Sequence, residues 1–514
     1  MDDIQKLAVE TMQKNKQAIV FVASRASAEK TAEDISKLTS FQHPEMEEVV
    51  LKAASSPTKQ CRRLSHCIRK GVAFHHAGLM QKQKDLVEDE FRSGKIKIVC
   101  ATPTLAAGLS LPAYRVIIKS LKRYSGRWGM DWIPVLEYMQ MAGRAGRPEF
   151  EKEGQAITIA RTDKEKDEIH ERYVLGEPED IYSKLAVEPV LRTYLLSLIS
   201  SGIITDDKSM KEFFSRTFWA SQFKDFAKLE MIMEKMLGLL DEWGFVKVFG
   251  ESGVKDDFVS ANDLDQGKKE IRKLKPTLLG KRVSQLYLDP LTARHILDCL
   301  ANFSSEKNEF SLLQMISHTL EMRPLLRVKA KEQDKIQEGL VKNYDQLLKE
   351  EPSAFDLEYD EFINSIKTSL FFEAWINETN EDFLLENFDI RPGEIRVKIE
   401  VANWLFYASS ELVRVSSNDK YLLNELHKLR IRVKSGVKAD LLPLLKLKGV
   451  GRVRARKMVL NGIKDLGDVK KTDLTSLAQM IGVKLAVDVH KQVGMEVREI
   501  PKMTRKGQLS LEKF

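Results

Sequence analysis

Short, wholly apolar runs alternate with helix-period segments through the first third of the chain. AIVFVASRA (Ala18–Ala26) opens on a run of the kind buried on both faces of a parallel sheet. SAEKTAEDISKL follows with helical spacing, Ser27 able to cap it and Lys30 on its outer face. GVAFHHAGL (Gly71–Leu79) repeats the scheme as strand and turn ahead of the helical QKQKDLVEDEFRSG. IKIVCATPTLAAGLSLPAYRVIIKSL supplies two more strands, and GQAITIART another. Strands alternating with helices at this spacing predict a helix-covered parallel sheet over residues 1–178.

After Pro178 the sheet signals fade. LRTYLLSLISSGII and KLEMIMEKMLGLLDEWGFVKV are amphipathic helices, the second running into a short β element, and VSANDLDQGKKEIRKLKPTLLGKRVSQLYL supplies another helix and strand. Three helices and a two-stranded wing suit residues 179–285. Residues 286–425 are nearly all helical, with SLLQMISHTLEMRPLL and EIRVKIEVANWLFYASSELVRV the clearest segments. LLPLLKLKGVGRVRARKMVLNGI then reads as helix, glycine turn, helix within residues 426–500, and residues 501–514 read as a disordered tail. The predicted fold class is multidomain α/β plus α.

Composition narrows the class. A chain of 514 residues exceeds one core, and 43% hydrophobic with 31% charged residues is ordinary globular usage. No apolar run approaches the ~18 residues of a membrane span, and the charged N-terminus MDDIQKLAVETMQKNKQ is no secretory signal. Cys61, Cys67, Cys100 and Cys299 are too few for a disulfide scaffold and point to a reducing, cytoplasmic setting. CRRLSHC beside His75 and His76 fits no common zinc spacing, so no metal is expected there. Charge changes the picture more. From His427 onward 21 Lys/Arg face 8 Asp/Glu, and within Lys428–Lys457 eleven bases face only Asp440. Glu350–Asp389 is the reverse, twelve acids against Lys367. A basic end beside an acidic middle suggests polyanion binding at the basic end.

The most specific motif is YMQMAGRAGRPEF, in which Gln140, Gly143, Arg144, Gly146 and Arg147 form Q-x-x-G-R-x-x-R at what reads as a glycine-punctuated helix start. Two arginines on one turn suit paired contacts to a phosphate whose charge shifts during transfer; the alternative is a surface turn. ATPTLAAGLSLPA (Ala101–Ala113) follows an apolar strand, so Thr102 and Thr104 emerge at the carboxyl edge of the sheet, where α/β proteins place ligands. FVASRASAEKTA and FHHAGL occupy two further strand ends.

These four segments, in this order and spacing, resemble motifs IV to VI of superfamily 2 helicases, most closely the Ski-like branch and its archaeal fork-repair DNA helicases called Hjm, for Holliday-junction migration. The resemblance covers nearly the whole chain. It implies a second RecA-like domain, a winged helix, a helical ratchet domain and a helix-hairpin-helix domain. It also implies that Arg144 and Arg147, with Gln140 beside them, reach an ATP bound mainly by a first RecA-like domain, with Gly143, Gly108 and Ser110 bordering the nucleotide. Ser110 stands where many relatives carry an acidic or amide residue, so a ribose contact there is not implied. Thr102 and Thr104 would hold the DNA backbone.

In the resembling helicases a hairpin between the last two motifs parts the duplex. Here it would be RVIIKSLKRYSGRWGMDWIPVLEY, with Tyr124 or Trp128 stacking on the last base pair. The alternative is an aromatic hairpin folded on its own domain. The family's ratchet helix stacks bases on a Trp with a cation two turns earlier. Trp404 fits the first requirement, but seven residues earlier stands Val397, between Arg396 and Lys398, so Trp404 is either a DNA contact with Arg396 nearby or a core aromatic. KGVGRVRARK, with Gly449, Gly451, Arg452, Arg454 and Arg456, is similar to helix-hairpin elements that clamp consecutive phosphates. Gln508, Leu511 and Phe514 fit Q-x-x-L-x-x-F, resembling the peptide by which repair proteins plug into sliding clamps.

G-x-x-x-x-G-K-[ST] occurs nowhere in the 514 residues. DEIH at Asp167–His170 mimics a DExH box but lies in a charged helical pattern with no apolar strand before it. The expectation is therefore the C-terminal part of an ATP- and Mg-dependent 3′ to 5′ helicase on single-stranded and forked DNA, inactive alone, completed by a first RecA-like domain in the same or another chain. The alternatives are a non-catalytic DNA- and clamp-binding adaptor, and an RNA helicase of the Ski-like branch.

Overall fold

The computed structural model describes residues 1–52, 57–108, 111–124, 129–146, 153–250 and 272–495. The chain divides into two compact units, Met1–Ser183 with Glu381–Lys398, and Lys184–Asn380 with Ile399–Phe514.

In the first unit the apolar runs become β1 (Ala18–Phe21), β2 (Val72–His75), β3 (Ile98–Ala101) and β4 (Arg115–Ile118). A small hairpin, β5 (Lys122–Tyr124) and β6 (Met130–Trp132), precedes β7 (Gln155–Thr158). The parallel sheet runs β2-β3-β1-β4-β7. Every residue of β1 to β4 is buried, which is why these strands read as continuous apolar runs rather than alternating ones. Helices Asp3–Gln13, Arg25–Ser36, Lys59–Arg69 and Gln81–Arg92 pack on this core. The helix after β1 begins earlier than its sequence predicts. Ser24, not Ser27, is the cap, its hydroxyl accepting the Ser27 N–H at 3.2 Å. Buried Arg115 in β4 donates to the Leu7 carbonyl at 3.0 Å, Thr11 Oγ1 at 2.9 Å and Gln155 Oε1 at 2.7 Å, tying the first helix and β7 to the sheet.

The sequence gives no sign that Glu381–Lys398, which reads as part of a helical domain, packs with the sheet. Gly393 donates its N–H to the Gly78 carbonyl at 3.0 Å, directly after β2. A Cβ at Gly393 would stand 2.3 Å from the Ala77 carbonyl oxygen and 2.5 Å from that of Leu79, and one at Gly78 would stand 2.5 Å from Arg391 Cδ. Only glycines allow this approach. Beside it, Arg391 Nε donates to Glu29 at 3.2 Å, and Glu29 also meets His76 at 3.2 Å, Gln60 at 2.9 Å and Arg63. Burial raises the pKa of Glu29, but the His76 and Gln60 hydrogen bonds and the charges of Arg391 and Arg63 overcome it and hold the carboxyl at about 2. Lys59 pairs with Glu386 and Arg25 with Glu394 across the same junction.

In the second unit, helices Glu188–Ser200, Asp207–Ser215, Phe218–Phe223 and Phe226–Glu242 precede β8 (Val246–Phe249), which pairs antiparallel with β9 (Lys273–Pro276) before helix Leu278–Gln285. A run of helices follows, among them Pro290–Ala301, Glu309–Ser317, Tyr359–Ile376 and Lys420–Ser435. The 25-residue helix Pro392–Ser416 starts in the first unit and continues in the second. Four short helices between Arg452 and Gln492 close around a core of their own that includes Val437, Leu444, Met458, Leu477 and Val489. Among the described residues no helix is long and apolar enough to cross a membrane.

Two outcomes are expected. Gly393→Ala should cost roughly 1–3 kcal/mol through forced displacement and speed amide hydrogen exchange in Arg391–Lys398; unchanged exchange there would mean that close approach is not what holds the segment. Glu29→Gln should cost roughly 3 kcal/mol at neutral pH as a broken buried ion pair. Because the folded pKa of Glu29 lies below its ordinary 4.5, its contribution is full above that value and is lost as pH falls through about 2. The gap between wild type and variant in denaturant unfolding should therefore shrink from pH 5 toward the acid limit, and a constant gap would contradict the assignment.

Candidate nucleotide and nucleic-acid site

The carboxyl ends of β1, β2 and β3 open onto a cleft of about 790 Å³ in the first unit. Ser24 and Arg25 line it from β1, Ala77 from β2, and Thr102 to Thr104 from β3, with Arg123, Gln140, Asp389 and Arg391 around the rim. Parallel strands send their last residues to one edge, so these side chains meet although they are far apart in sequence. Thr102 and Thr104 hydroxyls lie 2.9 Å apart. Three arginines face the cleft. Arg123 meets Glu137 at 3.1 and 3.2 Å, and Arg391 lies 3.7 Å from Asp389. Burial and the neighbouring charge of Arg391 push the pKa of Arg25 down. Each of the three arginines already meets a carboxylate, Arg25 with Glu394, Arg123 with Glu137 and Arg391 with Glu29, so an anion entering the cleft would share these cations with the chain's own acids.

Gln140 points to this cleft, whereas Arg144 does not line it. The motif sits at the end of helix Val135–Ala142, with Gly143 as its C-cap, rather than at a helix start. Arg144 is half-buried, and its Nε donates to the Ala106 carbonyl at 3.2 Å with Nη2 on the same oxygen. Its backbone carbonyl accepts the Ala113 N–H at 2.9 Å, and Gly146 returns an N–H to Ala113 at 2.7 Å. Gly146 has φ +94° and lies against Gly154, whose Cβ would stand 2.3 Å from Gly146 N. Thr104 opens and Gly108 closes the short helix that carries Ala106. The arginine motif is thus bolted to the segment whose first residues form the cleft wall. Ser110 and Arg147 lie outside the described residues.

The arms of the expected hairpin pair as β5 and β6, with Lys122 opposite Trp132 and its Nζ 4.1 Å over that ring. Trp132 and Tyr138 pack against buried Tyr173, whose hydroxyl donates to the Ile133 carbonyl at 2.6 Å, so the hairpin base is anchored on its own unit. Tyr124 ends β5, and Trp128 in the tip lies outside the described residues.

On the long helix, Trp404 is half-buried and its indole N–H donates to the Leu286 carbonyl at 3.1 Å. Arg396 and Val397 are exposed; Lys398 is buried, and burial pushes its pKa down to about 8. Sequence reading missed Tyr407, one turn beyond Trp404. Arg430 lies 5.0 Å over its ring while donating to Asn403 at 2.9 Å, and Arg282 reaches its hydroxyl at 3.4 Å. An aromatic and a tryptophan three positions apart share a helix face, which is the signal that could have found it.

In the basic C-terminal motif two of the arginines have partners within the chain. Arg456 grips both Glu378, at 2.7 and 2.6 Å, and Asp440, at 2.6 and 2.9 Å. Arg452 donates to the Thr379 carbonyl at 2.9 Å and lies 5.2 Å over Trp375. Both guanidinium groups are half-buried and engaged by partners within the chain. Arg454 remains exposed, donating to the Gly449 carbonyl at 2.9 Å. Gly449 has φ +86°, and Gly451 caps helix Arg452–Leu460 without a side-chain hydrogen bond, so that helix start is suited to a phosphate. Gln508, Leu511 and Phe514 lie outside the described residues.

Residues 1–149 match the family described as helicase conserved C-terminal domain, and residues 310–436 match archaeal helicase, domain 4. The chain is 35% identical over 515 residues to the ATP-dependent DNA helicase Hel308 of Pyrococcus horikoshii and 36% identical over 515 residues to that of Pyrococcus abyssi. It is 34% identical over 533 residues to that of Methanocella arvoryzae. The alignments take in 98%, 98% and 100% of this chain and 68% of each relative. With that identity sustained from the sheet through the long helix to the basic C-terminal motif, the chain belongs to the Hel308 helicase family.

Proposed function

We propose that the chain is the DNA-gripping and arginine-supplying part of an ATP-dependent, 3′ to 5′ DNA helicase acting on forked or branched DNA in fork repair, as in the Hjm type. The observation that carries this reading is the hold of Arg144 on the Ala106 carbonyl. One short segment thereby has the cleft hydroxyls Thr102 and Thr104 at one end and the arginine motif fastened to its other side. A shift of Arg144 on meeting phosphate would be felt by the strand in the cleft.

In this reading residues 1–178 are the second RecA-like domain, 179–285 a winged helix, 286–425 the ratchet domain and 426–500 the helix-hairpin-helix domain, with a clamp-binding tail at 501–514. Thr102, Thr104, Arg25 and Arg391 hold the backbone of one strand. Trp404 and Tyr407 offer stacking surfaces, with Arg396 as an exposed cation on the same helix. Tyr124 and Trp128 meet the duplex end, and the amides at Gly449 and Gly451 with Arg454 clamp phosphates further on. ATP with Mg supplies a phosphoanhydride whose cleavage drives movement. The P-loop that wraps it is not within these 514 residues, so it comes from elsewhere in the same or another polypeptide. Arg144 and Arg147 fit a phosphate as charge-assisted donors, and Gly143, Gly108 and Ser110 border them.

Arg25→Gln and Arg454→Gln should each weaken binding of forked DNA and lower the salt slope of log K by about one, as for one lost phosphate contact. Fluorescence anisotropy across a salt series checks this, and an unchanged slope for both would remove the phosphate assignment. With a P-loop-bearing partner domain supplied, Arg144→Gln should lower DNA-stimulated ATP hydrolysis by ~10³-fold or more while leaving DNA affinity within about twofold. Unchanged turnover would favour an adaptor, and better unwinding of tailed RNA than forked DNA would favour an RNA helicase. DNA-stimulated hydrolysis by the 514-residue chain alone would contradict the proposal.

A further inference from the structure

In the second unit the loop before helix Tyr359–Ile376 carries two of the most exposed apolar side chains of the protein, Phe355 at 99% and Leu357 at 83%. They are held out by a closed turn. The Ser353 N–H donates to Asp356 Oδ2 at 2.9 Å, and the Asp356 N–H donates back to the Ser353 carbonyl at 2.9 Å. The Tyr359 N–H then meets the Asp356 carbonyl at 3.1 Å, so the turn feeds directly into the helix. From Glu350 to Glu361 there are six carboxylates and no Lys or Arg. This surface repels phosphate, so it is built for a protein and not for DNA.

The opposite surface exists on the same unit. Along helix Arg452–Leu460, Val453 and Leu460 are 72% and 77% exposed, and Lys457 lies between them on the same stripe, with exposed Arg454 beside it. Exposed Lys448 and Lys464 flank the two ends of the helix. Two apolar anchors among acids on one side face two apolar anchors among bases on the other. Like-sized anchors with opposite charge are the requirement for a specific, salt-sensitive contact.

We propose that the Phe355–Leu357 loop of one copy of this chain docks on the Val453–Leu460 helix face of a second copy. The contact is head to tail, so it leaves a free loop at one end and a free helix at the other and extends with concentration instead of closing at two. Two short anchor sets make it weak, as suits a contact that must be broken. The start of this helix, beside the docking stripe, carries the phosphate contacts of the proposed function, so DNA competes with the second copy. That last step rests on the DNA-binding reading; the docking itself does not.

Sedimentation velocity of the full chain tests it, at ~0.01 M and ~0.15 M ionic strength, where the Debye length falls from roughly 30 Å to roughly 8 Å. The expected result is a mass that rises with protein concentration at the lower salt and stays near 58.8 kDa at the higher. Phe355→Ala with Leu357→Ala, and separately Val453→Ser with Leu460→Ser, should each shift that rise to roughly tenfold higher concentration or more, as for two lost anchors. Because each double variant keeps one half of the contact, mixing them should restore association that stops at two copies. All four side chains are exposed, so circular dichroism should show both variants folded. A wild type that stays monomeric at low salt overturns the proposal. So does association indifferent to either variant, or a mixture that does not associate. Adding a forked DNA should dissolve the wild-type assembly; if association follows the variants but DNA leaves it intact, docking stands and the DNA-binding role of this helix falls.

Discussion

The ion pair between Arg391 and Glu29, set beside the glycine contact of Gly78 and Gly393, is the constraint on which the site depends. Residues 362 positions apart in sequence meet there. Glu29 is 4% exposed and accepts from Arg391, His76, Gln60 and Arg63, so removal of any partner leaves charge in a nearly dry place. Without this junction the sheet edge has no Arg391 and no Asp389, and the cleft loses one wall. With it, the first turns of a 25-residue helix become part of the sheet unit, while the rest of that helix carries Trp404 and Tyr407.

A second fastening links the two chemistries. Arg144 belongs to the motif that resembles a phosphate sensor, yet its guanidinium is held on the Ala106 carbonyl, inside the helix that Thr104 begins. Backbone hydrogen bonds between Ala113 and both Arg144 and Gly146 fix the same pair of segments. In the proposed reading, the cation that would meet nucleotide and the hydroxyl that would meet nucleic acid are separated by this one short helix. The turn that carries Arg144 is closed on its other side by Gly146 and Gly154, whose backbones touch.

The parallel sheet was legible because strands buried on both faces leave uninterrupted apolar runs, and β1 to β4 are such runs. The strand-end residues Thr102 and Thr104 followed from that, since a parallel sheet gathers strand ends at one edge, whereas Gln140, in helix Val135–Ala142, was singled out by its arginine motif. What was not legible depended on distant partners. Nothing near Arg391 in sequence announces Glu29, and the acidic neighbourhood of Glu378 does not reveal that it and Asp440 hold Arg456. Charge counting over Lys428–Lys457 treats every base as available, whereas Arg452 and Arg456 are committed internally. Tyr407 was hidden for a milder reason: its value lies in Arg430, from another helix, stacked on its ring.

The most direct measurement is photo-crosslinking of a single-stranded oligonucleotide carrying photoreactive bases, with the modified peptides identified by mass spectrometry. A strand held at the sheet edge should mark peptides containing Ser24 and Arg25, Thr102 to Thr104, Gln140 and Arg391 together. Adducts confined to the C-terminal helices, with none on those strand ends, would contradict the claim that this cleft grips DNA.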